Sequence, residues 1–473
     1  MYFQDLQKYS RRAFLRRSGQ LALTGSALPV ALNLAAIGEA AAFNATDYKA
    51  LVCVFMYGGN DYANTVVPYD DANYNAYQNI RSNIALSKAS LSSMILQPNT
   101  PLAGGRQYAL HPAMPAMAGL FNSGKAAVQM NVGPLVVPLT RVQYAGSNRT
   151  LYPLPPQLFS HNDQQSVWQS SSPEGSTVGW GGNIGDLALS GNGSSLFTCI
   201  SVSGNAVYLS GDNALQYQVS TGGAVGISGI KGIVYGSSAV QNALATISQQ
   251  PRSHILENIY TTTTARSVGA ESLVTSALAG VSVGTSFTAG NPLADQLKMV
   301  ARLIAARTAL GTKRQVFFVS IGGFDLHDNL LPQHPALLGR VSDAMASFYN
   351  ATVELGVADK VTAFTASDFG RTLTSNGDGS DHGWGSHHFV VGGAVKGKAF
   401  YGKPPPISVG NTAAPEDQWH VGQGRLLPST SVDQYAATLA KWFGVGPTEL
   451  AGILPNLNHF GSADYPIDLG FMA

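Results

Sequence analysis

The sequence predicts an α/β sandwich, in which helices cover both faces of a largely parallel β-sheet. Residues 49–55 form a continuous apolar run with β-branched side chains, which is typical of a strand buried on both faces. Between residues 291 and 365, helix-like and strand-like segments alternate, and this order favours parallel strands joined by helices. With 473 residues, the chain is long enough to bury a large core.

The elements of this core follow one another regularly. An amphipathic helix of about five turns opens at Asn291 and stops at Gly311. A strand over residues 315–320, a helix that ends at Gly356 and a strand over residues 361–365 come next. We therefore expect at least three strands to lie side by side in the sheet.

Residues 187–283 differ from the rest because Gly, Ser, Thr and Asn are frequent there. We expect a Gly/Ser/Thr-rich insertion or cap on the sheet, with short strands over residues 196–202, 206–209 and 229–235. A long surface loop is expected over residues 403–430 because Pro and Gly are frequent. The helix after this loop carries its apolar face on Tyr435, Leu439 and Trp442.

Composition excludes some classes of function. Only 12% of the residues are charged, against roughly 25% in an ordinary soluble domain. With 28 basic and 27 acidic residues, the chain has no positive field to attract a nucleic acid. Cys53 and Cys199 both lie in apolar runs, so they are either buried free thiols or the two halves of one disulfide bond.

The N-terminus has the pattern of a twin-arginine export signal. Arg11 and Arg12 precede a weakly apolar run over residues 21–37, and small residues end it at Ala42. The run falls short of the roughly 18 strongly apolar residues of a membrane span, so we expect cleavage and no stable span afterwards. This divides the chain into a signal, residues 1–42, and a mature domain, residues 43–473, located in the periplasm or outside the cell.

Acidic residues follow three of the predicted strands. Asp61, Asp325 and Asp368 each come shortly after a strand, and His327 lies two residues beyond Asp325. In open α/β sheets the ligand site lies outside the carboxyl ends of the strands, so these side chains are candidates to converge. A single aspartate at a strand end is equally well explained as a turn former or a helix N-cap.

Histidines are concentrated near these aspartates. The glycine-rich loop over residues 379–388 holds His382, His387 and His388; the last two are adjacent, so at most one faces the site if the chain is extended. His334 is interpreted as a cap or surface residue. Carboxylates with imidazoles favour zinc or manganese, whereas an all-oxygen shell would suit calcium or magnesium.

Four motifs follow one another along the chain. They begin at Tyr57 (YGGNDYANTVVPY), Gly322 (GGFDLH), Ser367 (SDFGRT) and Asp381 (DHGWG, followed by GGAVKG from Gly392). In this order they resemble an uncharacterised bacterial family that is exported by the twin-arginine route, is catalogued as domain of unknown function 1501, and is placed in the alkaline-phosphatase and sulfatase superfamily. The resemblance implies the alkaline-phosphatase-like α/β/α fold and one or two metals at the carboxyl edge of the sheet.

The resemblance also implies a set of metal ligands. Asp61 matches the ligand after the first strand, Asp325 and His327 the central pair, Asp368 the later strand-end aspartate and His382 the downstream histidine. The superfamily often has an Asp-His pair where this sequence has Asp368 and Phe369, which favours a single metal.

The superfamily uses a hydroxyl or modified cysteine nucleophile beside the metals. The sulfatase signature Cys-x-Pro-x-Arg is absent from the sequence, which leaves Thr65 and Ser160 as candidates. Ser160 is alternatively the N-cap of a helix over residues 164–169. Arg371 either binds an oxyanion of the substrate or ties its loop to Asp368.

The sequence thus predicts an exported metal-dependent hydrolase of phosphate or sulfate esters, acting on a small-molecule or carbohydrate ester. The alternative is a non-catalytic binding or surface-assembly protein on the same fold with a structural metal. A metal-dependent oxidoreductase is less favoured because no dinucleotide fingerprint is present.

Overall fold

The computed structural model describes residues 46–473, so the predicted export signal lies outside the described residues. The strands are β1 (Lys49–Met56), β2 (Val66–Pro68), β3 (Tyr108–Leu110), β4 (Ala126–Gly133), β5 (Cys199–Ser201), β6 (Tyr217–Ser220), β7 (Gly223–Ala224), β8 (Arg314–Ile321), β9 (Val361–Ser367), β10 (Arg371–Ser375), β11 (Ser380–His382), β12 (Ser386–Gly392), β13 (Phe400–Tyr401) and β14 (Thr430–Ser431). The helices are α1 (Tyr62–Thr65), α2 (Asp71–Ile80), α3 (Lys88–Leu91), α4 (Pro115–Asn122), α5 (Arg141–Ala145), α6 (His161–Ser170), α7 (Trp180–Ala188), α8 (Ser228–Lys231), α9 (Ser238–Gln249), α10 (Ile255–Leu278), α11 (Pro292–Ala305), α12 (Leu330–Glu354), α13 (Val432–Phe443) and α14 (Pro447–Ile453).

A ten-stranded sheet forms the centre of the domain. Its strand order is β13-β4-β12-β9-β1-β8-β5-β6-β7, and β14 also pairs with β4. β1 runs parallel to β8 and to β9, and β5 runs parallel to β8 and to β6. β12 is antiparallel to both of its neighbours, β4 and β9, and β7 is antiparallel to β6. The carboxyl ends of the three central strands β9, β1 and β8 therefore lie at one edge.

Side chains of β1 alternate between two separate cores. Ala50, Val52 and Val54 belong to one core, together with residues of α4, α11 and α12. Leu51 and Phe55 belong to the other, with residues of α7, α13 and α14. A strand that is apolar on both faces needs helices on both sides, because either face would otherwise remain exposed. The predicted α/β sandwich with a largely parallel central sheet is confirmed.

The predicted elements of the core are present, with shifted ends. The three predicted strands are β1, β8 and β9, and each extends one or two residues beyond its predicted limits. Asn291 caps α11 by accepting from the backbone N–H groups of Leu293 and Ala294. This helix ends at Ala305 instead of Gly311, because the chain between them is folded into turns.

The segment 187–283 contributes to the edge of the central sheet. Its strand β5 pairs directly with β8, and β6 and β7 follow outward. Two predicted strands are wrong: residues 206–209 form a 3-10 turn, and 229–235 begin in helix α8. Short apolar runs do not distinguish strand from helix, and pairing partners decide between them. No helix in the described part of the chain combines the length and the apolarity needed to cross a membrane.

The two cysteines are buried and free. Cys53 lies on β1 and Cys199 on β5, and β8 runs between these strands. Two strand spacings separate the cysteines by about 9.5 Å, which is beyond the reach of a disulfide bond. Of the two interpretations, buried free thiols is the one the structure supports.

Five histidines in the described residues are buried, namely His111, His334, His387, His388 and His420, and burial lowers the pKa of each ring. His334 lies inside α12, where its Nε2 contacts Asn60 Oδ1 at 2.9 Å, so its interpretation as a cap or surface residue is wrong. The Nδ1 atoms of His111 and His387 accept backbone N–H groups, so both rings must be neutral. His388 Nε2 is buried without a hydrogen-bond partner among the described residues. Burial lowers the pKa to about 4 for His111 and His387 and to about 3 for His334 and His388.

We expect the domain to lose stability in mild acid. Between about pH 6.5 and pH 4, His111, His334, His387 and His388 are protonated in the unfolded chain but remain neutral in the folded chain. The free energy of unfolding therefore falls as the pH is lowered. Each ring contributes up to about 1.4 kcal/mol per pH unit. Urea unfolding at several pH values measures this slope, and His388→Phe should reduce it whereas the exposed-site change His254→Ala should not. A slope that is unchanged in His388→Phe would contradict the assignment.

Candidate metal centre

Three histidine rings meet at one point beside the carboxyl edge of the sheet. The Nε2 atom of His382 lies 3.1 Å from Nε2 of His161 and 2.9 Å from Nε2 of His327. His327 follows β8, His382 ends β11, and His161 is the first residue of α6. Three segments distant in sequence thus bring the Nε2 atoms of His161 and His327 to the Nε2 atom of His382.

The opposite nitrogen of each ring faces a hydrogen-bond acceptor. His161 Nδ1 lies 2.6 Å from Asp368 Oδ2, and His327 Nδ1 lies 3.2 Å from Asp381 Oδ1. His382 Nδ1 lies 2.7 Å from the Phe159 carbonyl oxygen. An acceptor at Nδ1 fixes the proton on that atom and leaves the lone pair on Nε2. The Nε2 lone pair of each ring is therefore available to a cation.

Lone pairs that face each other at this distance repel unless a proton or a cation lies between them. Tetrahedral zinc bonded to nitrogen at about 2.0–2.1 Å separates its ligands by about 3.3 Å. The two Nε2 distances at His382, 3.1 and 2.9 Å, are slightly below this value. The donor atoms of His161, Asp325 and His382 all lie within 4.8 Å of one another, and His327 lies at the side of this group. The donor set therefore fits a small divalent cation.

A carboxylate completes the set. Asp325 Oδ1 lies 3.1 Å from His327 Nε2 and 3.2 Å from His382 Nε2, and its Oδ2 lies 3.3 Å from His161 Nε2. The buried Arg371 donates from Nη1 to Asp325 Oδ1 at 2.6 Å. Partial burial raises the pKa of Asp325, but the hydrogen bond and charge of Arg371 outweigh this and hold it below its usual value. Asp325 is thus ionised and oriented toward the three rings.

The surroundings shift the pKa values of His161 and His382 in opposite directions. The hydrogen bond to Asp368 raises the pKa of His161, whereas burial lowers the pKa of His382. A cation at this point therefore competes with a proton chiefly at His161.

Close backbone packing brings the strand-end loops together. The Gly58 N–H donates to Asp368 Oδ2 at 3.2 Å, which joins the loops that follow β1 and β9. Gly58 has φ +114°, and a Cβ atom there would lie 2.3 Å from the Asp325 nitrogen. Only glycine allows this approach. The position of Asp325 thus depends on the absence of a side chain at residue 58.

The structure brings four of the five predicted metal ligands into one cluster. Three of them face the centre, and the fourth lies on the outer side of a histidine ring. Asp325, His327 and His382 point to the common centre. Asp368 Oδ2 accepts from His161 Nδ1 and from Gln165 Nε2, so it orients the His161 ring from the side opposite to the centre. Its Oδ1 is buried without a hydrogen-bond partner in residues 46–473.

Asp61 is directed elsewhere. Its Oδ2 lies 2.6 Å from Arg81 Nη2 and accepts from Ser380 Oγ at 2.7 Å, and its Oδ1 caps α1 by accepting from the Asn64 N–H. Both members of this ion pair are buried. Burial raises the pKa of Asp61, but the Arg81 charge and these hydrogen bonds bring it below its usual value. Asp61 thus occupies the helix-cap role that the sequence left open.

The predicted catalytic groups do not line the centre. Thr65 is buried, with its Oγ1 bonded to the Asp61 carbonyl. Ser160 occupies the N-cap position of α6, but its Oγ donates to the Asp163 carboxylate at 3.0 Å and accepts no N–H group of the helix backbone. Arg371 holds Asp325 instead of Asp368, and its buried guanidinium also donates to the Gly58 and Ser380 carbonyls.

Sequence reasoning missed His161 as a member of the centre. It follows no strand, and 221 residues separate it from His382. One signal was available: His161 and Gln165 are four residues apart, so they share a helix face, and both reach Asp368.

Comparison with protein families gives one match. The family described as a protein of unknown function, DUF1501, matches residues 236–445. This range contains His327, Asp368 and His382, but not His161. No curated protein matches the sequence.

Solved structures show weak similarity to the fold. The lipoteichoic acid synthase LtaP from Listeria monocytogenes aligns over 86% of this chain and 74% of its own, with 9% identity and a TM-score of 0.31. Ps i-CgsB, in complex with k-i-k-neocarrahexaose, aligns over 85% and 74%, with 10% identity and a TM-score of 0.35. A Bacteroides thetaiotaomicron protein from a glycosaminoglycan-metabolism locus aligns over 85% and 74%, with 10% identity and a TM-score of 0.34. At these TM-scores, no functional assignment rests on the alignments.

Replacement of His161 tests the centre. We expect His161→Ala to weaken zinc binding by more than the 10–100-fold typical of losing an outer partner, because a direct donor is removed. His254→Ala, at an exposed histidine, is the matched control. Competition with a chromogenic chelator measures the affinity, and elemental analysis gives the stoichiometry. Equal zinc affinity in the two variants would contradict the centre.

Replacement of Asp61 distinguishes a structural role from a ligand role. Asp61→Asn leaves the Arg81 charge buried and uncompensated, so we expect a loss of about 3–5 kcal/mol in the free energy of unfolding with zinc affinity unchanged. Urea unfolding and the same chelator titration provide both readouts. Lost zinc affinity with intact stability would instead make Asp61 a ligand.

Proposed function

We propose that the protein is a metal-dependent hydrolase of phosphate or sulfate esters. The observation that carries the proposal is that the donor atoms of His161, Asp325 and His382 all lie within 4.8 Å of one another, with His327 Nε2 next to those of His382 and Asp325. Three neutral nitrogens and one carboxylate suit zinc or another divalent transition metal better than calcium or magnesium. When bound, such an ion acts as a Lewis acid and lowers the pKa of its bound water.

The surrounding residues hold the donors in place. Arg371 orients Asp325, Asp368 orients His161, and the Phe159 carbonyl orients the His382 ring. Because these partners are buried or half-buried, they restrict ring rotation and fix the proton on Nδ1. Preorganised donors of this kind are what a catalytic metal centre requires.

The ester class rests on the motif resemblance and not on the geometry. The motifs around Asp325, Asp368 and His382 resemble those of a family placed with the phosphatases and sulfatases, and they lie inside the matched range 236–445. Substrates of this class are small-molecule or carbohydrate esters. Export of the protein to the periplasm or beyond the cell is part of the proposal and rests on the sequence pattern alone: Arg11 and Arg12, the weakly apolar run over residues 21–37 and the small residues that end at Ala42.

One observation favours a second candidate, a non-catalytic binding protein with a structural metal. No side-chain hydroxyl within residues 46–473 makes a hydrogen bond to Asp325 or to the three rings. The nucleophile that the resemblance implies therefore has no representative in contact with the centre.

Turnover assays separate the two candidates. We expect the zinc- or manganese-loaded protein to hydrolyse p-nitrophenyl phosphate or p-nitrophenyl sulfate, and Asp325→Asn to lower kcat/KM at least 100-fold because a charged donor is lost. Asp359→Asn removes an exposed carboxylate and should leave the rate unchanged. If the loaded protein binds its metal stoichiometrically but hydrolyses no ester of either class, the binding protein is the correct candidate.

A further inference from the structure

Arg425 lies against the residues that form the metal centre. Its Nε donates to the His382 carbonyl oxygen at 2.8 Å. Its guanidinium lies over the Phe159 ring, 5.2 Å from the ring centroid. His382 supplies a donor to the centre, and Phe159 orients that donor through its carbonyl. Arg425 is therefore fixed to the same two residues that define one side of the site.

The two Nη atoms of Arg425 are available to bind a ligand. Neither Nη atom has a hydrogen bond or an ion pair with any residue in the described part of the chain. In Arg371, by contrast, both Nη atoms donate to protein oxygens. The side chain of Arg425 is half-buried and held by its Nε hydrogen bond, and the charge of Asp381 acts on it. The Nη edge of an arginine matches two oxygens of a phosphate, sulfate or carboxylate.

The net charge of the centre is consistent with an anion-binding role for Arg425. Three carboxylates contact the histidines, those of Asp325, Asp368 and Asp381, and one arginine, Arg371, is paired with them. These groups sum to a charge of −2, which a divalent cation neutralises. Arg425 then provides the positive charge that attracts an anion to an otherwise neutral site.

The loop that carries Arg425 is held rigidly. The Arg425 N–H donates to the Gly422 carbonyl, and the Val421 N–H donates to the Arg425 carbonyl, both at 2.9 Å. Gly424 has φ +69°, and a Cβ atom there would lie 2.3 Å from Leu373 Cβ. The turn is thus packed directly on β10, next to the strand that ends in His382. A preorganised donor loses little entropy when it binds a ligand.

We propose that Arg425 binds the tetrahedral oxyanion group of the substrate and so restricts the site to phosphate or sulfate esters. This inference rests on the proposed function, since it names the part of the substrate that the site recognises. It assigns to Arg425 the anion-binding role that was one of two alternatives predicted for Arg371, whose guanidinium is buried and already bonded. Arg425 is a binding residue here, and the donors of the metal centre are separate from it.

Binding of inorganic anions tests this without turnover. Titration calorimetry of the zinc-loaded full chain with inorganic phosphate, and separately with inorganic sulfate, gives the two dissociation constants. We expect Arg425→Gln to weaken binding of the preferred anion about tenfold or more, because a charge-assisted pair is lost, and Arg425→Lys to restore part of it. Arg266→Gln removes an exposed charge on α10 and serves as the matched control. Zinc content is measured for each variant.

The outcomes are distinct. Equal anion affinity in Arg425→Gln and the unmodified chain, at equal zinc content, overturns the inference, as does the absence of any binding of both anions to the unmodified chain. Arg425-dependent binding supports it, and the tighter of the two anions identifies the ester class. If anions bind through Arg425 while no ester is hydrolysed, the hydrolase proposal fails and the anion site stands.

Discussion

The arrangement around the centre depends on hydrogen bonds that hold three imidazole rings by their outer nitrogens. Each Nδ1 faces an acceptor, and each Nε2 lone pair consequently points inward. Without those acceptors the rings would rotate, because lone pairs at about 3 Å repel each other. The acceptors are two carboxylates and one backbone carbonyl: Asp368 follows β9, Asp381 lies on β11, and Phe159 precedes α6. Packing of these segments against one another is therefore a condition for the site to exist.

Asp368 connects the largest number of these loops. One buried oxygen accepts from the Gly58 backbone, from the His161 ring and from the Gln165 side chain. The loops after β1 and β9 and the start of α6 meet at this atom. A carboxylate buried in this way costs free energy unless it is hydrogen-bonded, so the three donors stabilise it while it orients them. The strand-end position of Asp368 is what makes it available to all three.

The sequence was informative where a residue's role follows from its local element. The strand runs before Asp325 and Asp368 are apolar and continuous, so the sheet and the position of its polar ends were predictable. His382 was predictable from the density of histidines in its loop. His161 was not, because its position depends on how α6 packs across the sheet edge. Asp61 was placed at the correct edge, but the buried Arg81, whose partner only the folded chain defines, turns its carboxylate away.

The spread of the donors along the chain has a consequence for folding. His161 and His382 are 221 residues apart, and the first strand to which the centre is tied lies further upstream still. Any fragment with the whole donor set must span the 221 residues between His161 and His382, and Asp368, which orients His161, is itself bonded to Gly58 further upstream, so an ion binds only when most of the domain has folded. Its binding free energy then adds to global stability by mass action, about 4 kcal/mol at a thousandfold excess over the dissociation constant. Metal occupancy would thus report the folding of most of the domain rather than the order of one loop.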